Sequence, residues 1–326
     1  MKRLAVAAAV IIPAAALLVS AATVPGRRSA TAKPAAISAV RIGRAHPAES
    51  IPTLDGSKPI FILVLGSDTR SKQLQAAVHS RCDSIHLIGI NPKKEQATIL
   101  GFPRDSWVDI EGHGKDKIND SMMFGGPELA VSTIEKLTGI HIDYFALTTF
   151  EGFKTAVTEL GGVKVEVPYP IDDSHSKAEF KEGTKKMTGK EALSFVRARY
   201  GVPNGDFSRS ENQGLFMTSA LAQFQKQFRQ DPSVLLRWIG AATRNTQTDV
   251  PFDELLTLGF TATQIENVTN LVVPGKPGTE GDQSVVFIDS SAKSLYDDMH
   301  KDGLIETGSQ QGQKDEEKKK ERRRDS

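Results

Sequence analysis

Apolar runs and stretches of helical periodicity alternate along the middle of the chain. Pro59 to Gly66, PIFILVLG, is continuously apolar and ends on glycine, the pattern of a strand buried on both faces. Ser84 to Ile90 and Ala97 to Phe102 have the same character. Pro92-Lys93-Lys94-Glu95 between them is turn-like, so the two strands are predicted to pair as a hairpin. Pro127 and Glu128 open a predicted helix that Gly139 closes, with Ala130, Ile134 and Leu137 on one face. Ile142 to Leu147 is strand-like. Phe153, Val157 and Leu160 then sit at helical spacing until Gly161-Gly162, and Val163, Val165 and Val167 alternate as a half-buried strand does. Thr188 with Glu191, and Ser208 with Glu211, have capping-box spacing and predict two more helix starts. The second helix carries Leu215, Phe216, Leu221 and Phe224 toward a core, and Ser284 to Ile288 and Ala292 to Met299 read as a late strand and a late helix. Strands interleaved with helices predict a layered α/β fold, and the hairpin makes its sheet mixed.

The two ends fall outside this pattern. Met1-Lys2-Arg3 precedes an apolar run from Leu4 to Val24, long enough to cross the ~20 helical residues of a bilayer core. Residues 1–24 are read as a membrane anchor, or as a secretory signal given the small residues near Ala21-Ala22. Arg27, Arg28, Lys33, Arg41 and Arg44 follow the run and count against export; the short basic start counts for it. The expectation is a single-pass protein of the cell membrane, its domain on the extracytoplasmic side, with secretion after cleavage as the alternative. Residues 25–57, rich in Ala, Pro and Ser, are a predicted flexible linker. The folded unit is expected over 58–305, and the mixed-charge segment 306–326 as a disordered tail.

Composition narrows the chemistry. Among 326 residues, Lys plus Arg number 41 and Asp plus Glu 40, so no global basic field points to nucleic acid. The single cysteine, Cys82, excludes an internal disulfide framework and a cysteine-rich zinc site. His79, His86, His113 and His141 have no zinc spacing, and neither a P-loop nor a Gly-x-Ser-x-Gly elbow occurs.

Charged residues gather instead where the strands end. The first strand runs into Asp68, the second is preceded by Arg81-Cys82-Asp83, and the third runs into Arg104-Asp105. If Asn91 faces Gln96, the same register continued puts Asp83 opposite Arg104, with Arg81 just beyond. Ligand sites in open α/β sheets lie at strand ends. An isolated Asp–Arg pair is more often a structural ion pair, but four such residues capping apolar strands favour a site. Downstream, Arg197 and Arg199 can share a target only if their helix ends near Arg197, which Gly201 and Pro203 favour. Arg209 and Gln213 stand i, i+4 at the start of the next helix, where free N–H groups favour an anion. Arginine forks bind phosphate through two parallel hydrogen bonds; a solvated helix end is the alternative for Arg209.

Seven strings occur in order: ILVLGSDTR (62–70), RCDSIHLI (81–88), GFPRDSWVDI (101–110), GKDKIND (114–120), GGPELAVSTIEKLTGI (125–140), LGGVKVEVP (160–168) and RARYGVPNGDFSR (197–209). This series resembles the LytR-CpsA-Psr family, closely from about Pro59 to Phe224 and more thinly to about Gly303. The resemblance implies a three-layer α/β/α sandwich with a central mixed β-sheet and an apolar pocket for a lipid chain. It implies an extracytoplasmic domain behind one membrane helix. The implied reaction moves a glycopolymer, such as teichoic acid, capsule or arabinogalactan, from a polyprenyl-pyrophosphate carrier to peptidoglycan through a phosphodiester bond, with Mg²⁺ at the pyrophosphate.

Carried over residue by residue, the resemblance makes Asp68 and Asp83 the metal ligands. Arg81, Arg104, Arg197 and Arg199 become the pyrophosphate clamp and catalytic centre, supported by Arg209 and Gln213. Lys117 and Asn119 line the same site. Asp105 and Asp206 match motif positions, Asp105 as a candidate base and Asp206 with a helix cap as its alternative. Cys82 stands where serine is usual, Gly214 where a second glutamine is common, and Ser210-Glu211-Asn212 is less basic than the family pattern. The chemistry agrees independently: cleaving a pyrophosphate develops negative charge that fixed cations and a metal stabilise. Two alternatives use overlapping residues, a membrane-anchored receptor that only holds the lipid-linked polymer and a hydrolase that releases it into water. A transcriptional regulator ranks last, since no basic helix-turn-helix is present.

Overall fold

The computed structural model describes residues 56–69, 77–78 and 80–306. The apolar run Leu4–Val24, the linker up to residue 55 and the tail from residue 307 lie outside the described residues. Among the described residues, no helix is long and apolar enough to cross a membrane.

The three apolar runs form β1 (Ile60–Ser67), β2 (Cys82–Asn91) and β3 (Gln96–Gly101). A short ribbon follows, β4 (Trp107–Ile110) with β5 (Gly114–Lys117), then α1 (Asp120–Thr138), β6 (Tyr144–Thr149) and α2 (Phe150–Glu159). Next come β7 (Val163–Val167), β8 (Ile171–Asp173), β9 (Ala178–Phe180) and β10 (Gly183–Met187); β7 pairs with β10, and β8 with β9. Three helices follow, α3 (Gly189–Arg197), α4 (Asp206–Gln230) and α5 (Val234–Thr243). The chain closes with β11 (Thr246–Thr248), α6 (Phe252–Ala262), β12 (Asn267–Val272), a ribbon of β13 (Gly275–Glu280) and β14 (Gln283–Ile288), and α7 (Ala292–Asp302).

The main sheet has the order β11-β6-β1-β2-β3-β12. β1–β2 and β2–β3 are antiparallel, whereas β1–β6 and β3–β12 are parallel, so the sheet is mixed. Asn91 faces Gln96, the register expected of the hairpin. Because strand side chains alternate, the apolar strands feed two layers. On one face Leu63, Leu87 and Leu100 pack with Ile134 of α1 and Met299 of α7. On the other, Ile62, Ile88 and Ile99 pack with Phe224 of α4, Trp238 of α5 and Leu258 of α6. Each such buried Leu or Ile contributes about 2 kcal/mol. The result is an α/β/α sandwich. A third core lies under the small sheets, where Val163, Val165 and Val167 meet Phe195 and Phe216.

Two helix starts differ from expectation. α1 begins at Asp120 rather than Pro127 and kinks at Gly125-Gly126, where Gly126 takes φ 71°. Pro127 opens only its second limb, and Gly139 closes it at φ 72° with its N–H on the Glu135 carbonyl. The Thr188–Glu191 capping box forms in both directions. The Ser208–Glu211 box does not form: Gly205 at φ 54° turns the chain earlier, and α4 starts at Asp206. Ser208 lies inside that helix, its hydroxyl accepting the Asn204 N–H at 3.1 Å. The expected strand Ser284–Ile288 is present as part of β14, but its partner β13 and the β4–β5 ribbon go beyond the expectation. Segments such as GKDK (Gly114–Lys117) and GKPGTE (Gly275–Glu280) have no apolar alternation to announce a strand.

Candidate active site

The C-terminal end of β1 and the start of β2 meet at an irregularity. Gly66 pairs with Ser84 but Ser67 pairs with Cys82, so Asp83 is the extra residue of a β-bulge. Regular alternation would send Asp83 to the layer of Ile85 and Leu87. The bulge gives that place to Cys82, which is fully buried there. Asp83 instead reaches the mouth of a cavity on the opposite face. Re-aiming one side chain is what a bulge does.

Asp83 is ion-paired with Arg104, which follows β3. The ladder itself stops at His86–Gly101, but the Phe102 N–H still reaches the Ile85 carbonyl at 2.9 Å, so the continued register brings the two together. Arg104 Nε lies 3.6 Å from the Asp105 carboxylate. Asp105 is 3.4 Å from Arg199 Nη2, and Arg199 Nε is 3.7 Å from Asp206, which pairs with Arg209. A chain of alternating charge thus runs from β2 to the first turn of α4. Asp206 contributes an ion pair rather than a helix cap.

Asp68 sits just past β1, its N–H on the Arg81 carbonyl at 3.0 Å. Burial and the neighbouring Asp83 charge push its pKa above the usual carboxylate range, against the pull of Arg104 and Arg81. Arg81 Nε donates to Asp120 at 2.6 Å and leaves its guanidinium half exposed. Asp120, the first residue of α1, is buried and was not among the residues singled out from sequence. The signal was present: it ends the string GKDKIND.

α3 ends at Arg197, and Ala198 turns extended with ψ 121°, which frees Arg197 and Arg199 from opposite faces of one helix. They do not converge on one partner. Arg199 joins the charge chain, whereas the Arg197 guanidinium lies over the Phe150 ring, 4.5 Å from its centroid, at the cavity mouth. Gln213 uses its amide nitrogen on the protein, donating to the Asp83 carbonyl at 3.2 Å and the Val196 carbonyl at 3.0 Å. It ties the bulge to the end of α3. Asn119 is buried, its N–H on the Arg104 carbonyl at 3.2 Å and its side-chain oxygen without a partner among the described residues. Lys117 is placed by the backbone, opposite Trp107 in the ribbon. Among the described residues no ion pair ties its ammonium to the cluster.

The cavity adjoining this cluster has a volume of about 210 Å³. It lies between the sheet and α2 to α5, walled by apolar side chains such as Val64, Phe153, Val157, Phe216, Met217 and Trp238. Its mouth carries Ser67, Asp83, Arg197 and Gln213. An apolar chamber therefore opens directly onto guanidinium and carboxylate groups.

The LytR_cpsA_psr family profile matches residues 29–301. The chain belongs to the LytR-CpsA-Psr family. A polyisoprenyl-teichoic acid–peptidoglycan teichoic acid transferase, TagU of Bacillus cereus, is 39% identical over 166 residues, 51% of this chain and 52% of its own. The chain thus spans about half the length of the curated relatives it matches. Protein gbs0355 of Streptococcus agalactiae superposes with a TM-score of 0.67 at 25% identity, over 75% of this chain and 87% of that one. YwtF (TagT) of Bacillus subtilis, solved with octaprenyl pyrophosphate bound, shares the fold at a TM-score of 0.57 and 24% identity, over 76% and 91%.

Departures from the family pattern have local accounts. Cys82, next to the bulged Asp83, stays paired and sits in an apolar core, where burial raises its thiol pKa and keeps it a small hydrophobe. Gly214 lies against the Asn270 side chain, so a larger residue would collide there. Asn270 in turn donates to the Glu211 carbonyl at 3.0 Å, locking α4 to β12.

His86, also beneath the cluster, is fully buried. Its Nδ1 faces the Ser84 hydroxyl at 3.1 Å and its Nε2 the Ser210 carbonyl at 3.2 Å. Burial lowers its pKa from 6.5 to about 4, against the lift from the Ser210 bond. The neutral ring is the folded form, so its stabilisation is full above pH 6.5 and is lost as pH falls toward 4. The linkage predicts a loss of about 2 kcal/mol between pH 7.5 and pH 5, read by urea unfolding. His86→Gln should flatten that slope.

Proposed function

We propose that this chain transfers a glycopolymer from a polyprenyl-pyrophosphate carrier to peptidoglycan. One observation carries the reading: the apolar cavity of about 210 Å³ opens at Asp83 and Arg197, and from Asp83 the charge chain continues through Arg104, Asp105 and Arg199. A ligand with a greasy tail and an anionic head complements both halves. The teichoic acid transferase name of the B. cereus relative and the octaprenyl pyrophosphate held by YwtF support it.

On this reading the prenyl chain enters the cavity, and the diphosphate lies against Arg81, Arg104, Arg197 and Arg199. The acceptor hydroxyl oxygen bonds to the phosphorus that carries the glycan. The bond between that phosphorus and the bridging oxygen breaks, and polyprenyl phosphate leaves. The hydroxyl proton passes to a carboxylate of the cluster, with Asp105 the candidate. Arg209 and Gln213 position the clamp from behind, and Asn119 lines it.

Asp68 and Asp83 fit a divalent cation. They are two mutually repelling carboxylates beside phosphate-binding arginines, and Mg²⁺ takes one or two carboxylates plus substrate phosphate oxygens and water. Mg²⁺ bound there would neutralise charge on the diphosphate. The apolar run Leu4–Val24 is assigned as the anchor that keeps the domain on the extracytoplasmic face of the membrane.

The test uses the full chain in detergent, an octaprenyl-pyrophosphate glycan and a soluble peptidoglycan oligomer, with and without Mg²⁺. A glycan–phosphate–peptidoglycan adduct that needs Mg²⁺ is the expected product. Tight binding without adduct would make the protein a receptor; glycan phosphate released into water would make it a hydrolase.

A further inference from the structure

Beside the arginine clamp stands an exposed aromatic pair. Tyr200 follows Arg199 directly and is 53% exposed. The imidazole of His175, in the turn between β8 and β9, packs against it with ring centroids 4.4 Å apart and planes 36° from parallel. The His175 side chain is 72% exposed.

Solvent-facing aromatics usually move freely. These two are built on a fixed base. The buried Asp173 carboxylate accepts the Arg199 N–H at 2.8 Å and the Tyr200 N–H at 3.0 Å on one oxygen. Its other oxygen accepts the N–H groups of His175 at 2.9 Å and Ser176 at 3.2 Å. Burial opposes ionisation of Asp173, but these four donors outweigh it and hold its pKa below the usual range. Gly201 completes the joint. It takes φ 66° and lies against the Asp172 carbonyl, where a side chain would collide. One carboxylate therefore fixes the backbone that carries the clamp residue Arg199, Tyr200 and His175, and the two rings pack on each other above it.

Exposed rings paired on a fixed backbone contribute little to folding and suit a ligand that stacks. A sugar ring offers a C–H face to an aromatic plane while its hydroxyls stay hydrated. We infer that Tyr200 and His175 form a saccharide-stacking subsite beside the diphosphate clamp. The inference rests on the carrier reading above. The saccharide is either the first sugar of the donor glycan or a sugar of the peptidoglycan acceptor; both present the same face.

Binding to the full chain would be measured for three probes: octaprenyl pyrophosphate, octaprenyl pyrophosphate bearing one N-acetylglucosamine, and a soluble muropeptide disaccharide. Tyr200→Ala is expected to weaken the glycosylated carrier about tenfold and leave the bare carrier unchanged, the scale of one aromatic contact. Loss confined to the muropeptide would place the acceptor on the platform instead. Tyr200→Phe should bind like the wild type, and His175→Ala should give a smaller loss of the same kind. Equal weakening of bare and glycosylated carrier, or no change with either sugar, overturns the inference. A wild-type chain that captures none of the three probes overturns the carrier reading and the platform with it.

Discussion

Arg104→Ala is expected to cut transfer by about three orders of magnitude, the scale for losing a fixed cation at developing phosphate charge. Its guanidinium lies between Asp83 and Asp105 and retains only a quarter of its side-chain exposure. That placement pre-orients it, so little reorganisation is needed when substrate charge moves. Arg104→Lys keeps the charge but loses the planar fork, and should recover only part of the rate. The residue lies beyond the last rung of β3, so no ladder hydrogen bond of its own is at stake. Far-UV circular dichroism should therefore match the wild type while adduct formation collapses. Normal transfer by the folded variant would remove Arg104 from the clamp.

Asp83→Asn is expected to weaken the Mg²⁺ response by at least about tenfold and to slow transfer about a hundredfold. Asparagine keeps the shape and leaves the backbone carbonyl that Gln213 binds. The bulge should persist, so the change isolates the charge. Asp68 offers an internal check. Part of its raised pKa comes from the Asp83 charge, after burial as the larger cause, so its pKa should fall in the variant. Mg²⁺ titration by calorimetry, with the diphosphate lipid present, reads the metal directly. An unchanged Mg²⁺ midpoint would exclude Asp83 as a ligand.

Both variants concern residues that sequence singled out, yet neither could be oriented from sequence. The hairpin register follows from a short turn between two apolar runs, and Asn91 opposite Gln96 is where that pattern puts it. Continuing it joined Asp83 to Arg104 correctly. The bulge was not visible, because Asp83 in an apolar strand reads the same whether paired or extruded. Asp120 is legible in sequence only as the end of the string GKDKIND, and its role lies in the contact with Arg81, 39 positions away. Ser208 and Glu211 had correct capping spacing, but Gly205 provided an earlier place to turn. Asp173 carries no local signal, since its four donors come from its own turn and from the end of α3.

Local chemistry alone therefore determined the apolar strands, the hairpin, the Thr188 cap and the clustering of acids and arginines at strand ends. Each depends on neighbours a few positions apart, where periodicity and turn preference act directly. Tertiary structure decided what those charges face. β12 pairs with β3, α4 crosses close to Gly101, and the bulge turns Asp83 from one apolar layer to the mouth of the other. The same packing leaves a chamber between the sheet and α2 to α5, open at the charge chain. Long-range contacts fix those relations, and a hydrophobic pattern records only that a residue is buried, not which surface buries it.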